Sequence, residues 1–192
     1  MTPHYSEPQD GTQIHNLLNA HQRGEHRAFE QLIEMVYPRL HQAARQQLRR
    51  QPSETSLDAT SLVNEAYLQL VDETGVAWQS AGHFYAIASL TMRRILVDQA
   101  RRRLAAKRGA GQRPVTLEAD LASVDTRRET ILAVDQALHE LEAFNERLAR
   151  VVECRYFAGF GNEETAEALG VSSRTVERDW IRARAWLAEK LR

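Results

Sequence analysis

Apolar residues recur along this chain at intervals of three and four, and no stretch alternates in the way a strand would. The pattern predicts helix from about Gln13 to Arg50, with breaks near Gly24 and Pro38, after a polar start that reads as disordered. The run Gln51-Pro52-Ser53-Glu54-Thr55-Ser56 ends it. A helix from Asp58 to about Val71 follows, turning Leu62, Val63, Ala66, Tyr67, Leu70 and Val71 to a core. Ser61, Asn64, Glu65, Leu68 and Gln69 point elsewhere. Beyond a loop with Gly75 and Trp78, a long helix from His83 to about Lys107 begins apolar (Phe84, Ile87, Ala88, Ile95) and ends basic. Gly109-Ala110-Gly111-Gln112-Arg113-Pro114 stops it, and periodicity stays weak to about Val124. Helices over Thr126–Leu141 and Asn145–Phe157 come next.

The last forty-odd residues predict helix, tight turn, helix. Asn162 is a candidate cap for a short helix ending at Leu169, and Gly170 suits a left-handed turn. Ser172 or Ser173 then caps a second helix whose stripe Val176, Trp180, Ala183, Leu187 packs inward. Arg174, Thr175, Glu177, Arg178 and Arg182 occupy its opening turns and outer face. A packed helix offering arginines from its N-terminal end is the shape that enters a major groove.

Composition agrees with an all-α protein: nine Gly and five Pro in 192 residues, with Ala, Leu, Arg, Glu and Gln abundant. No apolar run approaches the roughly 20 residues of a membrane span. A lone Cys154 rules out an internal disulfide and suggests a reducing, cytoplasmic setting, with the thiol as buried filler. The net charge of −1 conceals two basic islands. Residues 93–113 carry eight Arg and Lys against one Asp, and residues 168–192 carry six against three. Residues 114–167 carry five against twelve acids, and residues 1–92 carry six against ten. Phosphate contact depends on local patches, because charges beyond ~8–10 Å are screened. Zinc spacing, a nucleophile triad and a phosphate-binding loop are all missing from the sequence, which predicts no catalysis and no cofactor.

The order of these pieces resembles the small extracytoplasmic-function sigma factors of bacterial RNA polymerase, over roughly residues 13–190. Ala59-Thr60-Ser61-Leu62-Val63-Asn64-Glu65-Ala66-Tyr67-Leu68 resembles the region 2 helix that grips the polymerase clamp. His83-Phe84-Tyr85-Ala86-Ile87-Ala88 and the string Met92 to Arg102 resemble the end of region 2, which handles the −10 element. Arg155-Tyr156-Phe157, Glu164-Thr165-Ala166, Leu169-Gly170-Val171-Ser172 and Thr175-Val176 resemble region 4, which reads the −35 element. Ser61 and Asn64 depart from the family, which usually has an acidic residue and Gln there.

The resemblance implies a disordered 1–12, region 2 over 13–108, a flexible linker over 109–125 and region 4 over 126–192. It implies core polymerase contact through Ser61, Asn64, Glu65, Leu68 and Gln69. Duplex −35 DNA would meet Ser172, Ser173, Arg174, Thr175, Glu177, Arg178 and Arg182. The melted non-template strand at −10 would meet Trp78, Arg93, Arg94, Gln99, Arg101, Arg102 and Arg103. An anti-sigma factor is a further candidate partner. Trp78 has the competing role of a core plug, and Glu177 that of an ion-pair partner for Arg174 or Arg178; Arg93 and Arg94 could instead lie on acidic protein surface, with Asp98 pairing to Arg94, Arg101 or Arg102. Two other functions stay open on the residues alone: a stand-alone helix-turn-helix regulator, and an adaptor that sequesters another regulator. The link and the opposed charges of its flanks also predict that the modules pack together when idle, hiding both DNA faces and Leu68.

Overall fold

The computed structural model describes residues 8–49, 57–72, 79–109 and 119–192, and every regular element among them is helical. The order is α1 (Pro8–Gln22), α2 (His26–Leu48), α3 (Ala59–Asp72), α4 (Ala81–Gly109), α5 (Ala119–Phe144) and α6 (Glu146–Val152). A π-helical turn, Glu153–Phe157, widens the end of α6, and α7 (Asn162–Leu169) and α8 (Ser173–Lys190) complete the chain.

Three boundaries differ from the sequence expectation, each for a physical reason. Residues 8–12, expected to be disordered, are helical: Pro8 stands at the first position, where no amide is needed, and Ile14 and Leu18 bury further on. Pro38 does not break α2. It lies on the solvent side, and burial of Val36 and Leu40 on either side, about 1.5–3 kcal/mol each, offsets the ~3 kcal/mol that an internal proline costs. The expected link is shorter, because α5 starts at Ala119. Residues 119–144 hold neither Gly nor Pro, so a helix once nucleated propagates through them without a strong apolar stripe. Gly24 does end α1, in a left-handed conformation with φ 90°.

Helices α1 to α4 close around Leu18, Leu32, Val36, Leu62, Val63, Leu70, Phe84 and Met92. A second core joins Leu138 and Leu141 of α5, Leu148, Ala149 and Val152 of α6, and Ala183 of α8. The first core does not stop at α4: Cys154, Phe160 and Ala168 from the C-terminal half complete it. The halves meet along a seam where α4 lies against α5, the π turn and α7. Approach there is close, since a Cβ at Gly82 would stand 3.2 Å from the Ala168 Cβ and press α7 outward by a few tenths of an ångström.

Candidate nucleic-acid interface

The turn between α7 and α8 follows from three local choices. The backbone amide of Gly161 donates to Glu164 Oε2 at 2.9 Å, so Gly161 is the cap of α7, one residue before the expected Asn162. Gly170 takes φ 63°, which an L side chain resists, and reverses the chain. Ser172 is extended, and its Oγ accepts from the Thr175 amide at 3.2 Å, starting α8. Val176 and Ala183 are fully buried, with Trp180 and Leu187 half-buried beside them, so the expected stripe faces inward. The depth of Asp179 could not be expected from the stripe. It is fully buried, takes a 2.6 Å bond from Arg147 Nε on α6, and lies 3.5 Å from Arg178.

That register leaves Arg174, Glu177, Arg178 and Arg182 exposed, with Ser172 exposed and Ser173 and Thr175 half-buried at the helix start. Glu177 pairs with neither arginine; its Oε1 accepts from Asn162 Nδ2 at 3.0 Å. The carboxylate is therefore held at the open end of the helix, where a cytosine amino group could also reach it. Ile181 stands on the same face at 69% exposure. It was not among the expected contacts, although an apolar residue off the buried stripe and between Arg178 and Arg182 is visible in the sequence.

The basic face of α4 is open only in part. Arg94, Arg101 and Arg102 are exposed and Gln99 and Arg103 half-buried, but Arg93 is only 7% exposed. Arg93 Nη1 lies 3.0 Å from Asp135 Oδ1 on α5, and Nη2 lies 3.6 Å from Glu153 Oε1 in the π turn. Arg101 reaches Asp135 Oδ2 at 2.9 Å and Asp98 at 3.2 Å. Burial pushes Arg93 below its ordinary value while both carboxylates pull it back. Burial likewise raises Glu153, against the charges of Arg93 and Arg150. In this arrangement Arg93 lies against acidic protein surface, the alternative to a DNA face that the sequence offered for it, and Asp98 pairs with Arg101. Asp135 is itself 4% exposed. Its position beside Val134 and Leu138, within the apolar stripe of α5, is the trace it leaves in the sequence. Trp78 lies outside the described residues.

On α3, Ser61, Asn64 and Gln69 are exposed and Glu65 half-buried, and Leu68 stands 63% exposed among them. Asp58 caps this helix: Ser61 N–H donates to its carboxylate at 2.7 Å, which holds that carboxyl below its ordinary value. The expected closure of the two halves is thus present but hides less than expected. Leu68 and the α8 face stay open, and Arg93 is what becomes covered. Cys154 is buried, and burial pushes its thiol up to about 12, so it is inert filler in the first core. Among the described residues no helix is long and apolar enough to cross a membrane.

Set beside known proteins, residues 11–192 match the family model described as ECF sigma factor. Two curated relatives, each named ECF RNA polymerase sigma factor SigM, come from the Erdman and H37Rv strains of Mycobacterium tuberculosis. Each is 33% identical over 177 residues, covering 91% of this chain and 83% of the relative. No solved structure matches the chain at a comparable standard.

Proposed function

The chain belongs to the ECF sigma factor family, and from that membership we propose how its surfaces share the work of promoter recognition. As an alternative sigma factor it directs RNA polymerase to promoters. The finer reading divides it into region 2 over residues 13–108 and region 4 over residues 126–192. The helix α8 seats in the −35 major groove by its N-terminal half. Arg174 and Arg178 pair with guanine or hold phosphates, Glu177 accepts from cytosine, and Ser172, Ser173, Thr175 and Arg182 fix the register. The exposed arginine face of α8, standing directly after the left-handed Gly170 turn and the Ser172 cap, is the observation that carries this reading.

The α4 face handles the −10 element. Arg94, Arg101, Arg102 and Arg103 neutralise the backbone of the melted non-template strand, Gln99 lies beside them, and Arg93 joins once the seam opens. Trp78 supplies a stacking surface worth about 1–3 kcal/mol for an unpaired base. Opening needs no covalent chemistry, because binding the single strand better than the duplex shifts the melting equilibrium. Core polymerase is held at its clamp by the α3 face, with Leu68 as the apolar anchor and Glu65, Ser61, Asn64 and Gln69 around it. An anti-sigma factor is the natural antagonist of such a chain, and the cytoplasm its place of action.

Run-off transcription from the promoter of its own operon, with purified core polymerase, tests the reading. Specific initiation should require the chain and fall at least tenfold in a Glu65→Lys/Leu68→Arg variant. Initiation unchanged by that variant would remove α3 as the clamp contact. Tight duplex binding without polymerase, and no initiation, would make the chain an ordinary helix-turn-helix regulator.

A further inference from the structure

We infer that Asp135 and Glu153 act as internal stand-ins for DNA phosphates, occupying Arg93 and Arg101 of the −10 face in the unbound chain while its −35 helix and polymerase-binding surface stay open. The inference rests on the assignment of α4 to the −10 element made above. It concerns the closed form of the chain, in which two carboxylates from the C-terminal half sit on two arginines of α4. Arg93 and Arg101 share the two oxygens of Asp135, at 3.0 and 2.9 Å, and Glu153 takes the other end of Arg93 at 3.6 Å. Two guanidinium groups converging on one two-oxygen anion is the arrangement they would make around a backbone phosphate.

The closed form is incompatible with a whole promoter. Elements named for positions about 25 base pairs apart lie ~85 Å apart along B-DNA at 3.4 Å per step. A compact chain of this length has a radius of gyration of ~16 Å, or about 40 Å across. Reading both elements therefore requires α8 to leave α4, and that parting uncovers Arg93 and releases Arg101. The seam suits such a parting. Beside the apolar contacts of Cys154, Phe160 and Ala168 it carries charged and polar ones, Arg39 to Glu164 and Gln47 Nε2 to the Phe157 carbonyl at 3.3 Å, which water and phosphate can replace once the halves part. A cavity of about 160 Å³ between Leu96, Val97, Ile131, Val134 and Phe157 further thins its apolar part. Until it opens, free chain meets single-stranded DNA with its best-placed arginines already occupied. The same closure limits wasteful binding to nucleic acid in the absence of polymerase.

The test needs neither polymerase nor a known promoter. Fluorescence anisotropy would follow a fluorescein-labelled 20-nucleotide single strand of mixed sequence binding to the full chain, with small-angle scattering on the same samples. Asp135→Asn/Glu153→Gln should enlarge the radius of gyration and tighten binding by on the order of tenfold at 50 mM NaCl. Its salt slope should steepen by ~1.4, for two added phosphate contacts at about 0.7 each. Asp135→Asn alone leaves Glu153 on Arg93, disturbs the fold less, and should give part of both effects. The gain should vanish when Arg93→Gln/Arg101→Gln is added. An opened chain with no gain in affinity would overturn the inference, as would a gain that survives loss of both arginines. Arg102→Glu/Arg103→Glu in the otherwise natural chain separates the two levels. If that variant binds the strand normally, the −10 assignment of α4 falls. If it binds poorly while Asp135→Asn/Glu153→Gln gains nothing, only the self-closure falls.

Discussion

Asp179 illustrates how much of the proposed DNA-reading surface is set by a residue buried beneath it. It is fully buried on the inner side of α8 and bonded by Arg147, which is itself half exposed. The pair fastens α8 to α6 at the point where Arg178 turns outward, 3.5 Å from the same carboxylate. Hydrogen bonds to a charged group contribute about 1.5–3 kcal/mol, and the exposure of Arg147 places this one toward the lower part of that range. Asp179→Asn should therefore lower stability by about 2 kcal/mol in urea titration. It should also weaken −35 duplex binding more than that loss of folded protein explains. A binding loss that tracks stability alone would show that Asp179 holds the helix without orienting Arg178. Ile181 works in the opposite sense, as an exposed apolar side chain that only a partner could cover.

At the scale of elements, the helix-turn-helix depends on two small devices, and the first can be removed cleanly. Gly170→Ala forces an L side chain into φ 63° with open space around it, so the cost is backbone strain alone, about 1 kcal/mol or somewhat more. Differential scanning calorimetry should show it as a lower melting temperature. An unchanged transition would mean that the turn relaxes to another conformation. Such devices were legible in the sequence because each is local: Gly170, the Ser172 cap, and the Val176–Ala183 stripe obey rules that span four to seven residues. The exposed Ser61, Asn64, Leu68 and Gln69 were legible for the same reason, as the positions a helical period leaves outside. The path of α2 through Pro38 was not, because Val36 and Leu40 outweigh a local rule only once a core exists. Acidic surface was legible for Arg93 only as one of two alternatives, and which carboxylates it meets was not, since they stand 42 and 60 residues further along the chain. In sequence, an arginine that will meet a phosphate and one that will meet a distant carboxylate look alike.

The whole molecule is less divisible than two modules and a link would suggest, since Phe160 and Ala168 complete the core of α1 to α4. Arg39 spans the same boundary, with its guanidinium over the rings of Tyr85 and Phe160 at 4.5 and 4.9 Å. Phe160→Ala should cost about 3–5 kcal/mol. Native-state hydrogen exchange should show that loss in α2 and α4 as well as in α7. Faster exchange confined to residues beyond 145 would show the halves to be energetically independent. The π turn carries a consequence of another kind. Its Ala158 N–H reaches back five residues to the Glu153 carbonyl, at 3.1 Å, so it stores one residue more than an α-helical path would use. Each residue of an α-helix turns the chain by about 100°. Deleting one residue between Glu153 and Phe157 would remove that surplus and let α6 run on regularly with Phe160 and Ala168 still in phase with α4, whereas inserting one into the regular turn before it would swing everything after by about that angle. The coupling between the two halves is thus written in chain length as well as in charge, and one added codon would cut it while leaving every arginine and carboxylate of the seam in the sequence.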